Sequence, residues 1–270
     1  MRLAYAISAS PTRFAAIAQR RDLGGTIRHL AALGFEGVEL AIRDPAQVNI
    51  EDIAAFVGDA GVRVPAIGTG QAYVEEGLAL TAADQGVRER AVARLAAHVP
   101  GARRLGALLI VGLIHGSIPP DVDRGRATEW LLAGLGTVAR AARAAGVRIV
   151  IEPINRYESN WLNTVEEVMS FLDRLGEENV GVLPDTFHMN IEERDLHAAL
   201  RRARSRLWHV HVADSNRRAP GAGHLEFAGL VSDLAGMDYA GVLSAEIMQE
   251  PTFEEAAAQT MAALRPLVSG

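Results

Sequence analysis

Cysteine is missing from this chain altogether, and with it go disulfides, thiolate metal ligands and a cysteine nucleophile. Any metal site must be built from His, Asp and Glu. No stretch approaches the roughly 18 apolar residues of a membrane span, so no membrane partner is expected. The N-terminus lacks the extended apolar segment of a signal peptide. The run 3–9 is short, contains Ser8 and gives way to Pro11 and Arg13, so a cytoplasmic location is the expectation. Positive charge is not in excess either: 27 Lys plus Arg face 33 Asp plus Glu, a formal net charge of −6. Such a molecule as a whole repels phosphate backbones, and no nucleic-acid partner is expected. Its local basic concentrations are residues 201–206 and the pair Arg217 and Arg218. Linkers, low-complexity tracts and internal repeats are absent.

What is present is a chain of 270 residues, 49% hydrophobic and 22% charged. That is about the length of one α/β barrel, and a single domain over 1–270 is expected. Short β-rich runs recur at 3–7, 38–42, 62–67, 108–111, 148–151, 180–183, 207–210 and 242–245, each followed by a segment of helical periodicity. Eight such runs in this length fit a closed (β/α)8 TIM barrel better than an open doubly wound sheet. Thr164 with Glu167 and Thr252 with Glu255 have capping-box spacing and mark helix starts. Trp130, Leu131, Leu135 and Val138 share one face of the Ala-rich segment 127–145, which places that stripe, tryptophan included, in the core. Gly24, Gly25, Gly34, Gly61, Gly146 and Gly176 stand where helices should stop or loops begin. Pro184 cannot donate to a strand ladder, so the sixth strand ends at or before Leu183 and Asp185 stands at the barrel mouth.

Active sites on this architecture gather at the C-terminal ends of the strands. Glu152 closes the fifth run in RIVIEP, Asp185 follows the sixth in VGVLPD, His211 ends the seventh in LWHVH, and Glu246 ends the eighth in VLSAE. Successive strands are neighbours, so the four side chains converge on one quarter of the rim. Any one of them alone reads equally well as a helix cap or an ion-pair member. Together, three carboxylates facing one another require a cation between them. The set suits Mn²⁺ best, with Co²⁺, Mg²⁺ or Fe²⁺ as alternatives, and positions left for substrate oxygens. His209 lies two residues before His211, on the same face and deeper, where a hydrogen-bonded supporting role fits better than ligation.

At these residues the sequence resembles the sugar-phosphate isomerase/epimerase barrels related to xylose isomerase, and within them the ketose 3-epimerases. The stretches that carry the resemblance are IEPINRYESNWLNT from Ile151, DTFHMNIEE from Asp185, HVHVADSNRRAPGAGHLEF from His209 and AEI from Ala245. ELAIRDP from Glu39 and AIGTGQAYVEEGLALT from Ala66 look most similar to the 5-keto-L-gluconate epimerases of that family. The resemblance implies that Glu152, Asp185, His211 and Glu246 hold the metal, that Glu152 and Glu246 also transfer the proton, and that Glu158, His188 and Arg217 contact the substrate. The loop positions agree, although Arg217 also reads as a solvated loop charge and His188 as a residue that only orients a ligand. Tyr157 and Trp161 are candidates to pack on the apolar face of a sugar or to anchor their loop. Pro220, Gly221 and Gly223 mark a turn-rich, mobile loop over the site.

The resulting expectation is a metal-dependent epimerase of a small keto sugar or keto sugar acid. One glutamate would remove the proton beside the ketone, the other would return it to the opposite face of an enediolate, and the metal would stabilise the developing charge. The runner-up is an aldose–ketose isomerase of the hydroxypyruvate-isomerase type, which returns the proton to the neighbouring carbon. A DNA-repair barrel of the endonuclease IV kind is disfavoured by the acidic balance and the lack of an additional His-rich set. A silent sugar-binding barrel is disfavoured because a pure binder has no use for paired bases. The sequence leaves the oligomeric state open, a homo-oligomer included.

Overall fold

In a β-strand successive side chains point to opposite sides, and this alternation sorts the residues of the chain into two cores. In the computed structural model, which describes residues 1–19 and 22–268, the first strand β1 (Arg2–Ser8) sends Leu3, Tyr5 and Ile7 outward into a large apolar cluster shared with the surrounding helices. Ala4, Ala6 and Ser8 face the other way. A two-residue strand β2 (Ala18–Gln19) pairs with the end of β1 and was not expected. The remaining strands are β3 (Gly37–Ala41), β4 (Ala66–Gly68), β5 (Leu108–Val111), β6 (Ile149–Ile151), β7 (Val180–Val182), β8 (Val210–Val212) and β9 (Val242–Ala245).

All pairings are parallel, in the order β7-β6-β5-β4-β3-β1-β9-β8. The seam between β7 and β8 is closed by two isolated bridges, Val182 with Leu207 and Asp185 with His211. His211 N–H donates to Pro184 O at 3.0 Å across it. The result is the expected (β/α)8 barrel of β1 and β3–β9, with helices outside. A smaller apolar cluster of Ala66, Leu108, Ile110, Val150 and Leu183 fills its interior.

Two strands start later than their sequence suggests. Residues 62–65 contribute one bridge, Arg63 with Gly37, before Pro65, which has no N–H to give, and the ladder of β4 begins at Ala66. Residues 207–209 touch β7 at a single bridge, so β8 runs Val210–Val212 and His211 is its centre rather than its end.

Both threonines cap their helices through the hydroxyl, while Glu167 reaches back to Asn163 N–H and Glu255 to the Thr252 hydroxyl rather than to the N-cap N–H. Glu167 N–H donates to Thr164 Oγ1 at 3.2 Å, and Glu255 N–H to Thr252 Oγ1 at 3.2 Å. Gly24 and Gly25 lie inside the first turn of the helix Leu23–Ala32 rather than in a loop. Asp22 caps that helix through Gly25 N–H, and its carboxylate lies so close that a Cβ at 25 would fall 2.2 Å from Oδ2 and push the carboxylate aside. Trp130 is not core. It is half-buried on the helix Arg124–Ala144, with the Arg88 guanidinium stacked 4.0 Å from its ring centroid, while Leu131, Leu135 and Val138 are fully buried.

Candidate metal centre and active site

The same alternation that fills the barrel interior aims the site. Val150 faces inward, so Glu152 two residues on does too; Leu183 and Asp185 share the inner face in the same way. Glu152, Asp185, His211 and Glu246 are all buried, and each offers one ligand atom such that the atoms lie within 4.8 Å of one another. His211 Nδ1 stands 3.1 Å from Glu152 Oε1 and 3.9 Å from Glu246 Oε2. Asp185 caps the helix Thr186–Glu192 by accepting Phe187 N–H at 2.8 Å through Oδ1, while its Oδ2 is buried with no hydrogen-bond partner.

The electrostatics fit a site for a cation. Burial, with Glu152 adding repulsion, pushes the Asp185 carboxyl up to about 6. Burial pushes Glu246 up to about 8, with Glu152 and Asp185 working in the same direction against His211 and Arg217. An orphaned carboxylate oxygen and two carboxyls that resist ionisation are what a cluster of three acids shows when a divalent cation is its intended counter-charge. Hard oxygen donors with one imidazole suit such an ion.

Beneath this layer lies a residue to which the sequence reading gave no role. Glu39, on the inner face of β3, accepts from His209 Nε2 at 2.7 Å and lies 3.0 and 3.1 Å from His211 Nε2. Burial opposes its charge, but the His211 charge and the hydrogen bonds from both imidazoles hold it well below the usual carboxylate range. With Nε2–H committed to Glu39, His211 presents Nδ1 to the acids, the orientation a metal ligand needs. His209 is, as expected, buried and hydrogen-bonded in this supporting layer. The signal for Glu39 was available: in GVELAI the flanking Val38, Leu40 and Ile42 join the outer core, so the acid between them must point into the barrel.

Glu158, His188 and Arg217 line the same pocket as Glu152, His211 and Glu246. His188 Nε2 lies 4.0 Å from Glu152 Oε1 and 3.9 Å from Asp185 Oδ2. Its other nitrogen faces Asn155, a second residue the sequence reading passed over. Asn155 Oδ1 accepts Tyr157 N–H at 2.9 Å, which fixes the amide. Its Nδ2 then donates to Glu158 Oε1 at 2.8 Å and to His188 Nδ1 at 2.7 Å. His188 is thereby the tautomer with hydrogen on Nε2, a donor aimed at the pocket. Burial, with the charges of Arg217 and His211, keeps it neutral, its pKa held well below the ordinary histidine value.

Arg217 is no solvated loop charge. Its guanidinium sits between the rings of Phe14 and Phe187, 5.1 and 4.8 Å from their centroids, and reaches Glu158 at 2.9 Å and Glu246 at 3.4 Å. Its backbone is left-handed, with φ 60°, held there by Arg217 N–H to Asp214 O at 2.8 Å and Met248 N–H to Arg217 O at 2.7 Å. Gly112 completes the frame: a Cβ there would meet Glu152 Oε2 at 2.6 Å.

Tyr157 and Trp161 do not form a sugar platform. Tyr157 is 82% exposed, and Trp161 is a buried loop anchor whose Nε1–H donates to Gly116 O at 2.9 Å. The turn-rich segment 220–223 is tied to the buried Asp214, which accepts Gly221 N–H at 2.8 Å and Leu225 N–H at 3.1 Å. Within the basic run 201–206, Arg201, Arg202 and Arg204 pair with Asp233, Glu166 and Asp238 at 2.8, 2.9 and 3.4 Å. No helix among the described residues is long and apolar enough to cross a membrane.

Comparison with known proteins bears on this geometry. A family model described as xylose isomerase-like TIM barrel matches residues 27–267. The chain is 32% identical to an L-ribulose 3-epimerase of Mesorhizobium japonicum over 90% of its own length and 81% of that protein. It is 31% identical to a D-psicose 3-epimerase of Agrobacterium fabrum over 83% and 78%. A solved structure of L-ribulose 3-epimerase superposes with a TM-score of 0.84 at 29% identity, covering 99% of this chain and 95% of that one.

Proposed function

The chain belongs to the xylose isomerase-like TIM barrel family, and from that premise we propose that it is an isomerase that epimerises a keto sugar or keto sugar acid, inverting the carbon beside the ketone with a divalent metal. The observation that carries this reading is the juxtaposition, in one pocket, of Glu152 and Glu246 with His211 and the neutral His188. Glu152 and Glu246 follow β6 and β9, which β7 and β8 separate around the rim, so the two carboxylates approach a bound sugar from different sides. One removes the proton and the other returns a proton to the opposite face. A divalent cation held by Glu152, Asp185, His211 and Glu246 supplies Lewis-acid stabilisation of the charge on the ketone oxygen, and Mn²⁺ is the ion we assign, ahead of Co²⁺ and Mg²⁺. His188 donates Nε2–H to a substrate oxygen. Arg217, bonded to Glu158 and Glu246, places both acids and offers a charge to substrate hydroxyls.

The test is a panel of keto sugars, with 5-keto-L-gluconate, D-tagatose, D-fructose and D-allulose among them, incubated with Mn²⁺ in D₂O and followed by NMR. Solvent deuterium is expected at the inverting carbon. Deuterium at the terminal carbon next to the ketone would instead mark an aldose–ketose isomerase, and tight sugar binding without turnover across the panel would mark a binding barrel.

A further inference from the structure

Buried polar atoms without a partner demand an explanation, because each carries its full desolvation cost. Two of those among the described residues, Asp185 Oδ2 and Arg217 Nε, belong to the cluster above. A third, Gln71 Oε1, lines the same pocket from the opposite side of the rim: Gln71 follows β4, which stands across the barrel from β8 and His211. Gln71 is 2% exposed.

The identity of the free atom follows from counting protons. Ser8, inward at the end of β1, has one hydroxyl hydrogen, and it is committed to Ser10 O. The lone pairs of Ser8 Oγ are left to accept, from Ser10 N–H at 3.3 Å and from Gln71 at 2.7 Å. The end of the Gln71 amide that faces Ser8 is therefore the NH₂, and the end left over is the carbonyl oxygen. A flipped amide would set two acceptors against each other. The oxygen is thus held in place by β1, through a contact spanning 63 residues, and faces no donor of the protein.

We propose that Gln71 Oε1 accepts a hydrogen bond from a hydroxyl of the sugar beyond the reacting carbon, and so makes that hydroxyl a requirement of the substrate. This rests on the reading that the pocket takes a ketose. A sugar whose ketone end lies against the acids of β6–β9 extends its remaining carbons across the mouth, toward β4. A ligand hydroxyl satisfies the stranded acceptor, whereas an analogue lacking that hydroxyl buries the acceptor unmet. Sites built around such a group discriminate against the missing hydroxyl more sharply than apolar pockets discriminate against a methylene.

The experiment compares wild type and Gln71→Met, both Mn²⁺-loaded, on a ketose that the wild type epimerises and on its monodeoxy analogues, each lacking one hydroxyl beyond the inverting carbon. The wild type should lose about tenfold or more in kcat/KM on one analogue. Gln71→Met should suffer a comparable loss on the parent sugar, chiefly through KM, and show no further loss on that analogue. Equal discrimination by the two proteins overturns the proposal. Ser8→Ala, which frees the amide to turn without removing it, is the second variant should Gln71→Met fail to fold, and it should shrink the same penalty; an unchanged penalty again overturns it. If the wild type turns over no ketose, the functional reading falls and this inference with it. If it turns over ketoses but no deoxy analogue is disfavoured, only the inference falls.

Discussion

Around β6–β9 the inward positions at the mouth hold Glu152, Asp185, His211 and Glu246, while the inward positions of β1, β3 and β4 are mostly Ala4, Ala6, Gly37, Ala41, Ala66 and Gly68. The β6–β9 half carries charge and the β1–β4 half makes room. A Cβ on Gly37 would lie 3.2 Å from Ala4 Cβ, and Ala41 and Gly68 line the pocket directly. The small-residue half contributes only a few polar groups, and each serves the other half or the ligand: Glu39 orients His211, Ser8 holds Gln71, and Gln71 waits for a donor. Chemistry and shape are thus assigned to different strands.

The largest expected breach of this division is at the two glutamates. Glu152→Gln and Glu246→Gln should each lower epimerisation by about 10²–10⁴-fold, as loss of a positioned acid–base group does. Inversion rates in D₂O measure it. A variant with slow deuterium exchange but no inversion would show one base still working, and full activity in both variants would place the chemistry outside the charged half.

Next in size is the linkage between pH, metal and stability. Asp185 and Glu246 are raised to about 6 and about 8 in the folded chain, above the unfolded carboxylate range near 4. The folded state therefore holds protons that the unfolded state has already released. This stabilisation is fully present below the unfolded pKa and is lost as pH rises through the folded values. Read as the difference between chelator-treated wild type and Glu246→Gln, which cancels the buried histidines whose lowered pKa values work the other way, this contribution should fall between about pH 5 and 8. A cation replaces the protons, so Mn²⁺ should raise the melting temperature most at the upper end, with a gain in unfolding free energy of about 2.7 kcal/mol at a hundredfold excess over Kd. A difference that stays flat over this range would remove the cluster from the account.

Glu39 sharpens the comparison from the other half. Glu39→Gln should weaken metal affinity about 10–100-fold, the usual cost of losing the partner that orients a ligating histidine. Calorimetric titration reads it, and at saturating metal the substrate KM should barely move. Unchanged affinity would reduce Glu39 to a buried counter-charge. The smallest effect belongs outside the strands altogether: Arg88→Ala removes the nearer of two guanidinium groups over Trp130 together with the bonds to Ala82 O and Ala83 O, and should cost about 0.5–1 kcal/mol in denaturant unfolding with unaltered kinetics.

Which of these features the sequence disclosed depends on how local their cause is. Strand parity is local, so the inward acids at 152, 185 and 246 and the histidine at 211 were legible from the runs that precede them. Ladder ends are less local. Pro65 was visible inside the run 62–67, but the late start of β8 was not, because the pairing of residues 207–209 requires a neighbour's N–H and C=O, which a single run does not reveal. Asn155 and Gln71 were illegible as functional residues for a different reason. Each matters through what its amide faces, His188 and Glu158 for one and Ser8 for the other, and those partners are set by tertiary contact. Trp130 was misplaced because helical periodicity does not distinguish burial under the sheet from cover by an arginine guanidinium.

The bonds from Glu39 to His209 and His211 join residues 170 and 172 positions apart. Contacts of that sequence separation form only after the cost of closing a very long loop has been met, and they slow folding accordingly. The acids at 152, 185 and 246 and the histidine at 211 all lie in the C-terminal part of the chain, but the carboxylate that orients His211 is delivered by β3, so the cluster is complete only in the closed barrel.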